Sequence, residues 1–370
     1  MNDVGELKKY VVAHAEAQGI PAARYREVLG RIHHDEDGAA GSWTREWAAT
    51  GERLERDGAL LDALRCYSMA RFPFVDGPAR RDALDRSVGT FDRWRRDRAG
   101  IERVDVDLPG GRVRCWASGL STTDRKPLVL FVGGTISTKE QWAPNLRLAR
   151  RLGLTMLVTE MPGVGENTLR YDAGSWRMLP AVLDAVADRA DVARTYVVAV
   201  SFSGHLALRA AADDPRLRGA VTAGAPVREF FTDPVWFGAL PRITVDTLAH
   251  LTGTPAAGLP ALFARDWALD PETLAALDIP ICCTVATRDE IIPPGDVALL
   301  REHVRDLHDN EFDDEHGSPR HVAENRLWVV ESLLRLQGGR GPQRAMIGLL
   351  RRGLRLRRRA TTHDEPPKVM

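Results

Sequence analysis

The chain carries the segment TYVVAVSFSGHL at residues 195–206. Residues 196–200 form an unbroken apolar run, typical of a strand buried on both faces of a sheet, and an amphipathic helical pattern begins directly after Ser201. A strand that turns sharply into a helix exposes the residue at the junction, beside the backbone N–H groups of the first helical turn. The segment therefore predicts a strand-turn-helix unit with Ser201 placed as a nucleophile.

Apolar runs of the same kind recur on both sides of this segment, mostly separated by amphipathic stretches. They occupy residues 128–132, 154–159, 219–223 and 281–286. Strands and helices that alternate in this way predict a mostly parallel, doubly wound α/β sheet. Residues 101–116 alternate apolar and polar side chains around a Pro-Gly-Gly turn, which predicts a half-exposed hairpin ahead of the parallel strands.

The remaining segments suggest how the chain is divided. Residues 1–100 show helical spacing without strand alternation, so we predict an α-helical N-terminal domain, followed by an α/β domain at residues 101–337. Within that domain, residues 227–278 are too long for an ordinary connection and predict a helical cap insertion. Residues 338–370 are rich in Lys and Arg, and we expect them to form a flexible basic C-terminal tail.

Candidate partners of a nucleophilic serine follow later in the chain. Asp289 comes just after the predicted strand at residues 281–286, where an acid can orient a histidine. His316 lies on the loop before the last amphipathic helix, where a general base can reach the serine. Glu290 is the alternative acid and His321 the alternative base.

A glycine-bearing turn follows the predicted strand at residues 128–132. Such a turn can supply a backbone donor to a developing oxyanion, so Gly134, Thr135 and the N–H of Phe202 are the predicted oxyanion hole. A phosphate loop is not favoured, because no G-K-[ST] sequence follows the glycines. The two positions that flank Ser201 in the G-x-S-x-G pattern hold Ala199 and Ser203 instead of glycine.

The composition excludes several function classes. The 370 residues include 51 basic and 51 acidic side chains, so the charge indicates no nucleic-acid partner. The four cysteines have neither metal-ligand nor disulfide spacing, and we expect a cytoplasmic protein that needs no metal and no cofactor. No apolar run reaches the roughly 18 residues that span a bilayer, and the first ten residues lack an apolar signal core, so we expect no stable membrane association.

Together these motifs resemble the α/β-hydrolase superfamily, and most nearly its subgroup with a helical N-terminal domain, which contains the FrsA-like esterases and the 2,6-dihydroxypseudooxynicotine hydrolases. Their chain order Ser, Asp, His is that of the superfamily. The resemblance covers about residues 40–336 and rests on Gly133-Gly134 with Ser137, Lys139-Glu140, Glu160-Met161-Pro162-Gly163-Val164-Gly165, the segment around Ser201, Asp289 and His316. It implies an α/β-hydrolase fold, a helical domain that helps to close the pocket, and a homodimer contact through that domain.

The function expected from the residues and the resemblance is that of a serine-dependent hydrolase acting on a small hydrophobic ester or ketone. Polyketide-pathway relatives are similar in layout, and some enzymes of tetronate pathways eliminate acetate from an acylated precursor. A lyase of secondary metabolism and a carbon–carbon bond hydrolase are therefore the alternatives. Among the cap aromatics we predict that Phe230, Phe231 and Trp236 bind the substrate.

Overall fold

The first hundred residues of the computed structural model are helical. The model describes residues 2–98, 100–338 and 342–363. The helices that precede the sheet are α1 (Val4–Ala17), α2 (Ala22–Arg31), α3 (Trp43–Arg56), α4 (Leu60–Arg71) and α5 (Pro78–Arg96). Together with Ile243 they form one apolar cluster, in which Trp43, Trp47 and Tyr67 are fully buried.

A sheet of eight strands follows and confirms the predicted α/β-hydrolase fold class. Its strands are β1 (Ile101–Leu108), β2 (Gly111–Ser118), β3 (Pro127–Val132), β4 (Thr155–Thr159), β5 (Asp191–Val200), β6 (Leu217–Ala223), β7 (Ile281–Ala286) and β8 (Leu307–Phe312). Their order is β1-β2-β4-β3-β5-β6-β7-β8. The hairpin β1/β2 and the pair β2/β4 are antiparallel, and all remaining pairs are parallel.

One strand, β8, has no counterpart in the sequence-based predictions. Its sequence, LHDNEF, is polar in the middle, because β8 lies at the edge of the sheet and bonds to β7 alone. An edge strand exposes much of its surface and needs no continuous apolar run. Sequence patterns of buried strands therefore miss it.

Helices cover both faces of this sheet and its carboxyl end. Those between β3 and β6 are α6 (Lys139–Trp142), α7 (Ala149–Leu152), α8 (Met178–Asp184) and α9 (Phe202–Asp213). Those between β6 and β7, here called the cap helices, are α10 (Glu229–Thr232), α11 (Pro234–Ala239), α12 (Arg242–Thr252), α13 (Leu259–Phe263) and α14 (Pro271–Ala275). The last ones are α15 (Pro294–His303), α16 (Val322–Leu336) and α17 (Pro342–His363).

The described part of the basic C-terminal segment is helical. Residues 342–363 form helix α17, which packs on α16. Arg351 anchors it through an ion pair with Glu331, a hydrogen bond to the Asn310 side chain and a guanidinium placed over the Trp328 ring. A basic run can therefore be helical when one arginine finds acidic and aromatic partners on the neighbouring helix.

No described helix is both long and apolar enough to cross a membrane. The four cysteines, at positions 66, 115, 282 and 283, are all buried and unbonded to one another.

Close packing of α9 against the sheet depends on Gly204. A Cβ built on this residue would lie 2.5 Å from the Cβ of Ala225 on the loop after β6. Real Cβ atoms do not approach so closely, so any larger residue would push α9 away from the sheet. Small residues around a nucleophilic serine serve this purpose in strand-turn-helix units, and here Gly204 supplies the close approach in place of position 203.

We expect Gly204→Ala to lower the free energy of unfolding by about 1–3 kcal/mol, because the added methyl overpacks the contact with Ala225. The control is Gly89→Ala in the middle of α5, where a Cβ meets nothing within 4 Å. Without a clash the same change should stabilise the helix by about 0.5–1 kcal/mol. Urea unfolding of both variants measures the difference, and equal effects would contradict the packing argument.

Candidate active site

The backbone at Ser201 has the strained conformation that the strand-turn-helix predicts. Its φ and ψ are 59° and −132°, and Ser201 and Ser318 are the non-glycine residues with positive φ in the part of the chain that the structure describes. The turn is held by hydrogen bonds from Ser201 N–H to the Ala223 carbonyl at 2.7 Å and from Gly204 N–H to the Ser201 carbonyl at 2.8 Å. The serine hydroxyl consequently stands at the carboxyl end of β5.

The three residues predicted as nucleophile, base and acid lie in one hydrogen-bonded chain. Ser201 Oγ lies 2.9 Å from His316 Nε2, and His316 Nδ1 lies 3.0 Å and 2.9 Å from the two carboxylate oxygens of Asp289. The carboxylate also accepts the N–H groups of Ile291 and Ile292, which fixes its orientation. In this arrangement the Nδ1–H of His316 donates to Asp289, and Nε2 is free to accept the serine proton.

Glu290 and His321, the alternative acid and the alternative base, are not members of this hydrogen-bonded chain. Glu290 accepts the backbone N–H of His316 at 3.0 Å, so it holds the histidine loop and does not contact the imidazole. His321 lies 2.7 Å from the buried Asp314 carboxylate and stacks on Phe312, away from Ser201. Of the two histidines, the structure places His316, the one that the sequence favoured, beside Ser201 and places His321 elsewhere.

Two neighbouring carboxylates alter the acidity of His316. Burial of the imidazole favours its neutral form, but the charge and hydrogen bond of Asp289 and the charge of Glu290 outweigh burial, so the pKa of His316 is raised above its usual value. The neutral base is therefore fully formed at a higher pH than for an ordinary histidine.

The imidazole of His316 lies directly over Gly224, at the end of β6. Gly224 has φ +65°, and a Cβ there would lie 2.7 Å from His316 Cε1. The space for the histidine ring therefore depends on a residue without a side chain.

The predicted oxyanion turn also lies at the serine. A Cβ on Gly134 would meet the Ser201 Cβ at 3.2 Å, so the backbone of this turn passes beside the nucleophile. The N–H of Thr135 has no hydrogen-bond acceptor among the described residues, and Phe202 begins helix α9. Ser203 Oγ lies 3.0 Å from the Val132 carbonyl and 2.9 Å from the Val200 carbonyl, which ties the ends of β3 and β5 together.

A buried ionic cluster lies at Lys139, directly after the predicted oxyanion turn. The Nζ of Lys139 lies 2.8 Å from Glu140, 3.4 Å from Glu160 and 2.8 Å from Glu166, and neither Lys139 nor Glu140 is exposed to solvent. Glu160 also accepts the backbone N–H groups of Lys139 and Glu166, and Trp116 Nε1 donates to Glu140. The three carboxylates outweigh burial and raise the pKa of Lys139, whereas burial raises the pKa of Glu160 to about 7.

The helical domain reaches the same turn through Arg71 at the end of α4. Its guanidinium donates to the carbonyl of Ile136 at 2.5 Å and to that of Pro73 at 2.8 Å. Burial is the main cause that lowers the pKa of Arg71 to about 10, so the side chain remains charged at neutral pH. The oxyanion turn is thus fixed on one side by the sheet domain and on the other by the helical domain.

The serine and histidine open into a cavity between the sheet, the cap helices and helix α1. It holds about 1050 Å³ of empty space, including its mouth to solvent. Apolar side chains form most of its walls, and its lining includes Phe72, Ile136, Trp142, Val200, Ile243 and Ile291. An apolar cavity with a few polar groups is typical of a site for a small hydrophobic molecule.

The cap aromatics predicted to bind substrate do not line this cavity. Phe230 and Phe231 are buried in the main core, where they contact Phe202, Phe263 and His205. The indole of Trp236 donates to the carbonyl of Ile291. Phe230 and Phe231 instead attach the cap to α9, and Trp236 attaches it to the loop after β7.

Helix α1 and its C-cap residue place three polar side chains in the cavity lining, beside Ala13 and Ala17, and the sequence analysis missed them: Tyr10, His14 and Gln18. They are spaced four residues apart and so share one side of the helix. The sequence shows that spacing but gives no sign that α1, almost two hundred residues before Ser201, lies over the serine.

Comparison with known proteins agrees with this geometry. The family model described as esterase FrsA-like matches residues 38–268. The chain belongs to the FrsA-like esterase family. Hydrolase acrC of Aspergillus aculeatus is 30% identical over 58% of this chain and 60% of its own length. Esterase FrsA of Vibrio cholerae is 25% identical over 64% of each protein.

The chain thus spans about three fifths of the length of these curated relatives. Solved structures cover more of it. Wild-type AbyA5 is 53% identical, with a TM-score of 0.91 over 95% of this chain and all of that one. The 2,6-dihydroxy-pseudo-oxynicotine hydrolase is 19% identical, with a TM-score of 0.71, and shares the fold. These solved structures share the α/β-hydrolase fold with this chain.

We expect Glu290→Gln to move the acid limb of kcat/KM to lower pH. Only neutral His316 can act as a base, and Glu290 raises its pKa, so removal of that charge leaves the base active in more acidic solution. The glutamine can still accept the His316 N–H. The pH profile of p-nitrophenyl acetate hydrolysis measures the shift, and Glu302→Gln, at an exposed position, is the control. An acid limb that stays at the same pH would contradict the inference that Glu290 raises the pKa of His316.

We expect Gly224→Ala to lower kcat by about 10²-fold, because the methyl displaces the imidazole from the serine. The control is Gly110→Ala, which also has positive φ but meets nothing within 4 Å. Steady-state kinetics and melting temperatures of both variants separate displacement of His316 from backbone strain. Equal losses of activity in the two variants would count against the placement of His316.

Proposed function

We propose that the protein is a serine-dependent hydrolase that cleaves a small hydrophobic ester or ketone. The observation that carries the proposal is the continuous hydrogen-bonded chain from Ser201 through His316 to Asp289, which opens into the apolar cavity. No residue of the described chain needs to move for the serine to transfer its proton. The raised pKa of His316 makes it a stronger base than an ordinary histidine.

The mechanism follows from the positions of these groups. Ser201 Oγ attacks the substrate carbonyl while His316 Nε2 takes its proton, and Asp289 stabilises the imidazolium that forms. The N–H groups of Phe202 and of the Gly134-Thr135 turn hold the oxyanion, and each such donor contributes about 2.7–4 kcal/mol to transition-state stabilisation. The imidazolium then protonates the leaving group, and water deprotonated by His316 releases the acyl group from Ser201.

The substrate class follows from the cavity and from the resemblance. Apolar walls select a hydrophobic carbonyl compound. The resemblance to enzymes of polyketide pathways makes a natural-product intermediate the class to test first. Elimination of a carboxylate with His316 as base would use the same cavity and differs in that no acyl-serine forms.

The test combines labelling with turnover. Wild type and Ser201→Ala are incubated with an alkyl fluorophosphonate and followed by intact-protein mass spectrometry, and both are assayed with p-nitrophenyl acetate. We expect Ser201→Ala to lose labelling and to lose at least about 10⁴-fold in kcat, with an unchanged melting temperature. Ser203→Ala is the matched control, and we expect it to retain labelling.

Two outcomes would contradict the proposal. Full turnover in Ser201→Ala would remove the serine from the mechanism. Labelling of wild type at Ser201 without turnover of any ester or ketone would favour elimination over hydrolysis.

A further inference from the structure

Helix α1 forms one wall of the cavity, and its position is fixed by contacts on two other sides. Its apolar residues Leu7, Val11 and Ala15 are buried in the core of the helical domain. On the cap side, Glu6 accepts the N–H of Ile243 at the start of α12. Helix α1 therefore holds whatever it presents to the cavity in a fixed position relative to Ser201.

The side of α1 that faces the cavity presents two large polar side chains, Tyr10 and His14, between the small side chains of Ala13 and Ala17. His14 lines the cavity together with Ser201 and His316, and its ring lies 5.5 Å from the ring of Phe72. Tyr10 lies one turn before it on the same side. The His14 imidazole and the Tyr10 hydroxyl make no hydrogen bond to any residue that the structure describes. Both groups border the cavity and are available to form hydrogen bonds with a ligand there.

Both groups are uncharged at neutral pH. Burial, with smaller effects of Arg71 and His316, lowers the pKa of His14 to about 4. Burial and the nearby charges of Glu290, Glu6 and Glu315 raise the pKa of Tyr10 to about 12. A neutral imidazole offers one donor and one acceptor, and a phenol offers a donor. They are suited to a neutral oxygen such as a ketone or hydroxyl, and they provide no charge for a carboxylate or phosphate.

We propose that His14, with Tyr10 beside it, binds an oxygen of the substrate at a distance from the reacting carbonyl, so that the enzyme prefers oxygenated acyl groups over plain alkyl ones. The inference rests on the proposed function, because it takes Ser201 as the point of attack. His14 is a specificity residue in this proposal. It takes no part in the proton transfer between Ser201 and His316.

The experiment compares fluorophosphonate probes of equal length, which label Ser201 whether or not the enzyme turns over an ester. One probe carries a hexyl chain, and three others carry a ketone at carbon 3, 4 or 5 of that chain. Intact-protein mass spectrometry gives the labelling rate for wild type, His14→Leu, His14→Gln and Tyr10→Phe. Exposed His33 belongs to the same domain and lies outside the cavity, so His33→Leu is the matched control.

We expect at least one keto probe to label wild type about 10-fold faster than the hexyl probe, the effect of one hydrogen bond of about 1.4 kcal/mol. In His14→Leu the ratio of keto to hexyl labelling rates should fall to within about 2-fold, because leucine fills a similar volume but offers no hydrogen bond. His14→Gln should keep part of the advantage, because it can still donate, and His33→Leu should keep all of it.

The proposal is overturned if wild type shows no keto preference, if the preference survives in His14→Leu, or if His14→Leu slows all probes equally. Equal slowing of all probes is the result expected if His14 only shapes the cavity and does not bind the substrate oxygen. Absence of labelling by every probe in wild type would instead refute Ser201 as the nucleophile, and with it the function on which the inference depends.

Discussion

The backbone of Ser201, at φ 59°, is the constraint around which the site is built. A non-glycine residue in such a conformation costs about 1–3 kcal/mol and persists only where its surroundings hold it. Here β5 ends between β3 and β6, the Ala223 carbonyl takes the serine N–H, and Gly204 lets α9 approach the loop after β6. The strain turns the hydroxyl out of the sheet and leaves the Phe202 N–H beside it.

The parallel order of the strands then brings the other residues of the candidate site to the carboxyl edge of the sheet. The ends of β3, β6, β7 and β8 lead to Gly134, Gly224, Asp289 and His316 respectively, and all four meet at the carboxyl edge beside Ser201. Ligand sites of parallel sheets lie at this edge because only the loops that follow the strands converge there. Edge strand β8 matters for this reason, although its sequence is polar, since it carries the chain to the histidine.

The oxyanion turn is held by charge, in contrast to the packing that holds Ser201. Lys139 is enclosed by three carboxylates, and Glu160 accepts the backbone N–H groups of Lys139, which follows the β3 turn, and of Glu166 in the loop after β4. A buried ion pair of this kind stabilises little in net terms, but loss of one partner is costly, so it fixes one geometry. Arg71 adds the helical domain to the same turn. The helical domain thus contributes to the candidate active site through Arg71 and through the wall formed by α1.

The sequence by itself determined the units that act locally. Each signal lies within a few residues of the chain: an apolar strand followed by a helix at Ser201, a glycine turn at Gly134, and Asp289 directly after a strand. The fold class and the three candidate residues could therefore be predicted. The choice between His316 and His321, and the inward position of Phe230, were decided by packing between distant segments. The same holds for His14, because helical periodicity defines a face of α1 but not what that face meets. Only the tertiary structure, by placing the first helix over the end of β5, made it a wall of the site.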